Sequence, residues 1–551
     1  MAYDYGKDVK SIIKRYETLK EDRILWEPFF RDVRDYIRPR KQNVDSSTHV
    51  SAERHTNKMF DSSAPEASRL MAMSMQNALV PQSVVWFGLS IPSGHPLSVL
   101  NKDPDVKRWF HEVTQKMFFA MHESNFYTAI GEAFLDFTSF GTINLLLEEN
   151  DLYAEGFGGL VFTSIPTGQF VFAEDKRGQP DTVFWEYTFT ARQAKQMFGQ
   201  RRLPDKIKKA CKEKPDEKFT FVRVLMPRDD YRRGSQDVLE KRFASVDIAL
   251  DARAMVRESG FDELPYVIGR FEKASGELWG RSPADIAMPD IKTLNKIREL
   301  ELKGLATAVH PPLIAPDQGI IGTFRMTPSA INYSREPERF KFLRFEGRFD
   351  LSSLKANDLK KSIRGIFLAD QLVLPEKLNM TAEEVATVRE QIQKLLGPTV
   401  ARFESEVLTP LILRSFGLMS RSGILPPAPP VLAELDEIEV SYVGQLAKNQ
   451  KIQDVTSIQR WLGVAANMAS FSPDVLDLID MDEALQIIGE RMAVPNEIMR
   501  SQEEIAQLRQ QRQQQMQMQE QLAQASQVAE GAGKAAPMVK ALGGADAFPV
   551  Q

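Results

Sequence analysis

The stretch WGRSPADIAMPDIKTLNKIRELELKGLATAV, residues 279–309, contains a strong start signal for a long helix. Ser282 can cap this helix, Pro283 fits its first position, and Asp285 completes an S-x-x-D box that also suits the helix dipole. We therefore predict a helix over 283–309, which extends for roughly 40 Å at about 1.5 Å per residue.

Downstream of this helix, segments rich in Pro and Gly alternate with further helices. The predicted order is a loop-rich insert at 310–350, a second helix at 351–367, a loop at 368–380 and a long third helix within 381–430. A capping box of Thr381 and Glu384 begins the third helix. We expect Gly397 and Pro398 to kink it before its end at Gly417.

Upstream of residue 279, helical patterns come first and β patterns follow. The predicted helices lie at 8–38, with a new start at Pro28, at 63–82, and at 103–141, where two helices are broken near Ser124 and Asn125. Between residues 157 and 274, β-branched and aromatic runs predict an antiparallel sheet region with one short helix after Thr190. The expected fold class is therefore α+β and mainly helical.

Length and composition favour a large globular protein that is made in the cytoplasm. The 551 residues suggest about two to four domains, and a hydrophobic content of 43% is typical of globular chains. The N-terminus has no apolar run behind its basic residues, and no continuous apolar stretch is long enough for a bilayer. We therefore expect neither a signal peptide nor a membrane partner.

The sequence contains no complete catalytic or metal-binding motif. GAGKAAP at 531–537 lacks the first glycine and the Ser or Thr of a P-loop, and HEVTQ at 111–115 lacks the second histidine of a zinc helix. The acidic segment at 474–484 lacks the glycine and final glutamate of an EF-hand, so a solvated helix face explains it better. The single cysteine, Cys211, excludes an intrachain disulfide. We expect no enzyme activity, no cofactor and no metal.

Charge is unevenly distributed along the chain, whose formal net charge is -5. Residues 335–364 contain nine basic and five acidic side chains, a net of +4, whereas residues 431–500 contain five basic and twelve acidic ones, a net of -7. The overall charge argues against a protein whose whole surface grips nucleic acid. Two interpretations stay open, which are a functional polarity and merely solvated faces.

Five segments, in this order, resemble the portal proteins, or head-to-tail connectors, of short-tailed bacteriophages. The segments are LWEPFFRDVRDYIRPRK (25–41), SNFYTAIGEAFLDFTSFGT (124–142), LWGRSPADIAMPDIKTLN (278–295), NMTAEEVATVREQIQKLLGPTVARF (379–403) and RSQEEIAQLRQQR (500–512). No single segment is a catalytic signature. The resemblance therefore depends on their combination over most of residues 10–512.

This resemblance implies a dodecameric ring at one capsid vertex, with a central channel for packaging and ejecting double-stranded DNA. The implied partners are the terminase large subunit of the packaging motor, a tail adaptor protein, and the major capsid and scaffold proteins. The chain would be made in the host cytoplasm and located in the virion. The alternative is a helical adaptor or scaffold protein of the virion that has no DNA channel.

The resemblance also implies a division of the chain into the parts of a portal subunit. These parts are a wing (1–282), two stem helices (283–309 and 351–367), a clip (310–350), a channel loop (368–380), a long kinked wing helix (381–430) and a crown (431–500). The Gln- and Ala-rich residues 501–551 would form either a helical barrel or a disordered tail. Their apolar stripe is too thin for a core of its own, so packing partners would come from neighbouring subunits.

Two sets of candidate site residues follow from this assignment. A stem interface would pack the first stem helix against the second helix and a neighbouring subunit through Trp279, Ile286, Ile291, Leu294, Ile297 and Leu300. The basic contacts nearest the DNA path would be Lys355, Lys360, Lys361, Arg364 and Lys377. The alternative role for these lysines is ion pairing with acidic residues of adjacent subunits.

Overall fold

The structure, a computed structural model, describes most of the chain in two compact units, Met1–Leu446 and Ala447–Gln551. The described residues are 9–39, 56–83, 85–150, 157–232, 235, 237–309, 313–314, 320–321, 333–334, 341–342, 349–372, 396–432, 438–442, 445–469, 484–485, 488 and 510. Among them, no helix combines the length and the hydropathy that a bilayer span requires.

Two of the described helices come directly before and directly after the loop-rich insert in the sequence. The bounds are α1 Val9–Ile24, α2 Glu27–Tyr36, α3 Ser63–Leu79, α4 Pro104–Glu123, α5 Phe126–Phe140, α6 Ala191–Phe198, α7 Asp205–Glu213, α8 Pro283–Val309, α9 Phe349–Ile366, α10 Ala369–Leu372, α11 with 396–403 described, a π-helical turn Glu404–Leu408, α12 Thr409–Arg421 and α13 Gln445–Ala469. The helix predicted over 283–309 is confirmed at both bounds.

The described strands pair in antiparallel sheets, and β3 to β9 lie in the region where the sequence predicts them. Their bounds are β1 Phe87–Ser90, β2 Thr142–Glu149, β3 Leu160–Ser164, β4 Phe170–Glu174, β5 Pro180–Thr190, β6 Lys218–Pro227, β7 Phe243–Ala249, β8 Ala254–Phe261, β9 Tyr266–Arg270, β10 Leu313–Ile314, β11 Ile320–Ile321, β12 Tyr333–Ser334, β13 Lys341–Phe342 and β14 Glu439–Tyr442. The sheet orders are β3-β2-β9, β4-β5-β6-β7-β8, β1-β14, β10-β13 and β11-β12. The chain is therefore a mixture of helices and antiparallel sheets, as the α+β class requires.

The five-stranded sheet buries apolar side chains on both of its faces. Alternate residues of a strand point to opposite faces. On β6, Val222 and Val224 join the cluster that contains Ile12 and Tyr16 of α1, whereas Phe219 and Phe221 join a second cluster with α6 and α7. One sheet face thus carries α1, and the other carries the two short helices.

The largest hydrophobic core joins α5 to the helices that come late in the chain. Phe403 of α11 stacks on Phe134, with ring centroids 4.7 Å apart, and contacts Phe137 edge-on at 5.0 Å. All three side chains are fully buried. Such aromatic pairs contribute about 0.5–1.5 kcal/mol beyond the burial of area.

Several sequence-based boundaries need correction. The β region contains two short helices, α6 and α7, rather than one. The helix that was expected to end at Gly417 continues to Arg421. A side chain at Gly417 would collide with the carboxylate of Glu263, so this glycine permits close packing within the helix rather than ending it. The second helix of the pair begins at Phe349, two residues before the expected start.

The hydroxyl of Ser282 also has a partner that differs from the predicted one. Ser282 Oγ donates to the backbone carbonyl of Ser139 at 2.7 Å, and the carboxylate of Asp285 accepts from Arg281 at 2.5 Å. The S-x-x-D pattern therefore marked the correct helix start. Ser282 nevertheless binds the end of α5, because the start of α8 is buried against it, whereas Asp285 pairs with Arg281 just before the helix.

Several of the sequence-based expectations fall on residues outside the described ranges. The loop at 368–380 is described only as far as Leu372, and Lys377 lies beyond it. The insert at 310–350 is described only in its four short strands and at 349–350. Gly397 and Pro398, by contrast, lie within the described part of α11, and the expected kink at these residues stays a prediction. The tail at 501–551 lies outside the described ranges except for residue 510.

Candidate functional site

The antiparallel helices α8 and α9 form the surface on which all described candidate residues except Trp279 lie. Two hydrogen bonds join the helices along their length. Ser362 Oγ donates to Asp290 at 2.7 Å, and Ser352 Oγ donates to Glu301 at 2.7 Å. These pairings show that the helices run antiparallel. The chain leaves the core along α8, passes through the insert and returns to the core along α9.

The start of α8 is anchored where the segments 124–142 and 278–295 meet. Gly141, at φ +83°, ends α5 and lies directly against Gly280, so that a Cβ atom on Gly141 would be 2.5 Å from the carbonyl oxygen of Gly280. Gly280 N donates to Thr142 Oγ1 at 2.8 Å. Glycine is required here because the two backbones touch.

The candidate interface residues of α8 separate into two groups. Ile291 and Leu294 are buried within the single chain, at 0% and 1% exposure, and Ile297 is partly buried against the same core. Ile286 and Leu300 are 67% and 55% exposed. A residue that is already buried has almost no surface left for a second subunit. Only the exposed pair is therefore available to a neighbouring copy.

Trp279, which precedes α8, also belongs to the core of its own chain. Its exposure is 3%, and its ring contacts Phe30, Phe170 and Phe172 at centroid distances of 5.6, 5.5 and 5.2 Å. These rings come from α2 and β4, so Trp279 joins the N-terminal helices to the sheet region. It is a structural residue of the subunit rather than a surface contact.

The candidate DNA-contacting residues also divide into two groups. Lys360 Nζ lies 2.8 Å from Asp61 Oδ2, and Arg364 Nε lies 2.8 Å from Asp370 Oδ1. Lys355 and Lys361 are exposed, and neither has an ion-pair partner among the residues that the structure describes. The open alternative of ion pairing thus applies to Lys360 and Arg364, but their partners lie within the same chain. Lys355 and Lys361 keep their charges available on the surface.

A buried polar node between α8, α9 and the start of α3 is not apparent from the sequence. Asn295 Oδ1 accepts from the backbone N–H groups of Phe60 and Asp61 at 2.7 and 3.0 Å, and its Nδ2 donates to the carbonyl of Ile291. Burial alone would raise the pKa of Asp61, but hydrogen bonds from Lys360 and Ser63 outweigh it and lower the pKa. Lys360 therefore stabilises a buried carboxylate.

A second buried node fixes the π-helical turn to strand β9. Arg270 is 1% exposed, and its Nη2 lies 2.8 Å from Glu406 Oε1, while its backbone N–H donates to Glu406 Oε2 at 3.0 Å. Its Nη1 also pairs with Glu174. Burial would lower the pKa of Arg270, but both carboxylates outweigh it and raise the pKa. Glu406 lies in the polar run Glu404–Glu406, and nothing local in the sequence distinguishes it from Glu404.

The described part of the site brings together packing contacts and surface cations. Within the described ranges, no group of three or more His, Cys, Asp or Glu side chains is placed to hold a metal ion. The arrangement is suited to mechanical roles, because its buried ion pairs hold helices in place and its exposed lysines can contact a polyanion.

Sequence comparisons match most of this chain to one protein family. The sequence profile of the bacteriophage head to tail connecting proteins matches residues 9–499. The chain is 26% identical over 519 residues to the portal protein of Salmonella phage epsilon15. This alignment covers 91% of this chain and 90% of that protein. It is 27% identical over 516 residues to the probable portal protein of Bordetella phage BPP-1, covering 91% of each.

A more distant relative is similar over a somewhat smaller share of both chains. The portal protein of Escherichia phage T7 is 22% identical over 489 residues, which covers 86% of this chain and 84% of that protein. The profile match includes both helices of the α8–α9 pair, the sheets and the buried nodes described above. The chain therefore belongs to the bacteriophage head to tail connecting protein family.

Proposed function

We propose that this chain is the portal subunit of a short-tailed phage and forms a dodecameric ring around a channel for double-stranded DNA. The observation that carries the proposal is the similarity to portal proteins over about nine tenths of both chains. In this role the ring occupies one capsid vertex of the virion. It binds the terminase large subunit during packaging and the tail adaptor afterwards, and it contacts the major capsid and scaffold proteins.

We propose that the subunit is divided into the parts that the family resemblance implies. Residues 1–282 form the wing, the helices at 283–309 and 351–367 form the stem, and 310–350 form the clip. Residues 368–380 form the channel loop, 381–430 the long wing helix and 431–500 the crown, with 501–551 as a barrel helix or tail. Ile286 and Leu300, on the exposed side of α8, are the stem residues that contact the next subunit.

In this proposal the chain has no catalytic role, and the energy for packaging comes from a separate motor ATPase. The exposed lysines of α9 then serve as weak, sequence-independent contacts to the DNA backbone. Few such contacts are expected, because every neutralised phosphate adds salt-dependent affinity and slows sliding.

The proposed DNA contacts are tested by neutralising Lys355, Lys361 and Lys377 together to Gln. Lys360 is left intact because its loss would leave the carboxylate of Asp61 with only the more distant Arg298, whose Nε lies 3.8 Å from Asp61 Oδ2. We expect normal rings, since exposed ion pairs contribute only about 0–1 kcal/mol each. DNA entry or retention in purified procapsids should change, and the change should be larger at low salt.

A matched variant with Lys14, Lys102 and Lys107 changed to Gln removes the same charge from α1, the segment before α4, and α4. Packaging by this control should equal that of the parent chain. The proposed role of the α9 lysines is wrong if the first variant forms rings and packages and retains DNA normally at every salt concentration.

A further inference from the structure

Residues 191–217, here called the basic insert, carry a concentration of positive charge that the proposed channel does not explain. The insert comprises α6, α7 and the turns that join them to β5 and β6. It contains nine basic and four acidic residues, a net of +5 in a chain whose net charge is -5. Eight of the nine basic side chains are exposed, namely Arg192, Lys195, Arg201, Arg202, Lys206, Lys209, Lys212 and Lys214.

The charges of the basic insert are left largely uncompensated. Across this segment, all of which is described, the sole ion pair joins Lys208 Nζ to Asp205 at 3.4 Å, and the Asp205 side chain is 92% exposed. A pair of this kind contributes almost nothing to stability. Apart from Lys206, whose Nζ lies 5.9 Å from the ring centroid of Phe219, these cations mainly generate a positive surface potential.

The basic insert is nevertheless held in place by buried side chains and by a helix cap. Phe198, Leu203 and Ile207 are buried in a cluster with Phe219 and Phe221 of β6. A capping box begins α6, because Thr190 Oγ1 accepts from Gln193 N and the side chain of Gln193 accepts from the backbone N–H of Thr190. The lysines are thus presented on a fixed platform against the sheet face opposite α1.

The composition of this surface favours a nucleic acid over a protein partner. The centres of protein interfaces are enriched in aromatic residues and depleted in lysine. Here the exposed residues are mainly lysine and arginine, and Met197, at 42% exposure, is the one large apolar side chain that is exposed between residues 191 and 217. Flexible lysines that act as point charges suit phosphate contacts that carry no sequence information.

We infer that the basic insert is a second DNA-contacting surface, which binds the phosphate backbone of double-stranded DNA outside the α8–α9 site. It is separate from that site, because the insert packs in its own hydrophobic cluster and α8 and α9 pack in the largest core. The inference rests on the proposed function and adds a surface to it. In the particle, this surface would hold DNA that is not in the channel.

The test is a titration of the purified full-length chain with a fluorescent duplex oligonucleotide of mixed sequence at several salt concentrations. Lys206, Lys209 and Lys212 are changed together to Gln. Each lost phosphate contact should reduce the slope of log affinity against log salt by about 0.9, so we expect a decrease of about 2–3 and a loss of at least about tenfold in affinity at low salt.

Two comparisons make the result specific. The charge-matched variant of Lys14, Lys102 and Lys107 should retain the parent slope, and a change of Lys355 and Lys361 to Gln should add to the effect of the insert variant. An unchanged slope in the insert variant overturns the inference, as does an equal loss in the charge-matched control. A loss of affinity for polyglutamate without a loss for DNA identifies an acidic protein as partner and also overturns it.

Ring formation is measured on the same samples by native mass. If the insert variant forms rings but its slope of log affinity for DNA against log salt is unchanged, only the second DNA-contacting surface is contradicted. If the parent chain forms no ring, the proposed function is contradicted, whatever the affinity of the parent chain for DNA.

Discussion

Replacement of Glu406 by Ala is expected to lower the free energy of unfolding of the subunit by about 3–5 kcal/mol, because it leaves the buried guanidinium of Arg270 without its principal partner. Glu406 is 8% exposed and accepts hydrogen bonds from the backbone N–H, Nε and Nη2 of Arg270. The remaining carboxylate, Glu174, also binds Lys273 and cannot replace these contacts. Denaturant titration followed by circular dichroism measures the loss.

The matched control is Glu404→Ala, two residues earlier in the same π-helical turn. Glu404 is half-buried, and the pKa of its carboxyl is raised by burial alone. Removing a carboxylate that is desolvated but not paired should change stability by less than about 1 kcal/mol. Equal losses in the two variants would show that the Arg270–Glu406 pair does not hold the turn to β9.

The second large effect concerns two leucines of α8 that differ in burial. Leu294→Asp is expected to unfold the subunit, because it removes a core side chain worth about 2–5 kcal/mol and buries a carboxylate with no partner. Leu294 is 1% exposed in the single chain. Failure of this variant to form rings would therefore report on the subunit core and not on the interface between subunits.

Leu300→Asp provides the test of the interface, since it places the same charge on the exposed side of the same helix. Its subunit should keep the parent circular dichroism spectrum and protease resistance, whereas sedimentation should show loss of the ring. The assignment of this side of α8 to a subunit contact is contradicted if Leu300→Asp forms rings as stable as those of the parent chain. The assignment of Leu294 to the core is contradicted if Leu294→Asp keeps the parent stability.

Local signals in the sequence were sufficient for helix ends that are marked by proline, by an acidic first turn or by glycine. The start of α8 at Pro283 was predictable because proline and the acidic first turn act within a few residues. The division of α5 from β2 at Gly141 was predictable for the same reason, since a left-handed residue at a helix end favours glycine.

The roles of single side chains were not predictable where they depend on distant segments. An apolar stripe on α8 does not reveal which of its members face the core, so Leu294 and Leu300 were assigned to one interface. The sequence around Lys360 does not indicate that Asp61, almost 300 positions earlier in the chain, lies beside it. Lys360 therefore resembles a free cation in the sequence and is expected on the DNA path. The hydrogen bonds of Asn295 and Glu406 likewise join segments that only the folded chain brings together.

Assembly of the chain into a ring with an open channel is tested by electron microscopy of the purified full-length protein. The particles are viewed along their symmetry axis, and native mass is measured on the same sample. A head-to-tail contact that closes on itself gives one defined ring size. We expect closed rings at or near the dodecamer, with a central hole wide enough for a DNA duplex. A sample that contains only monomers or dimers, or rings without a hole, would contradict this expectation and favour the adaptor or scaffold alternative.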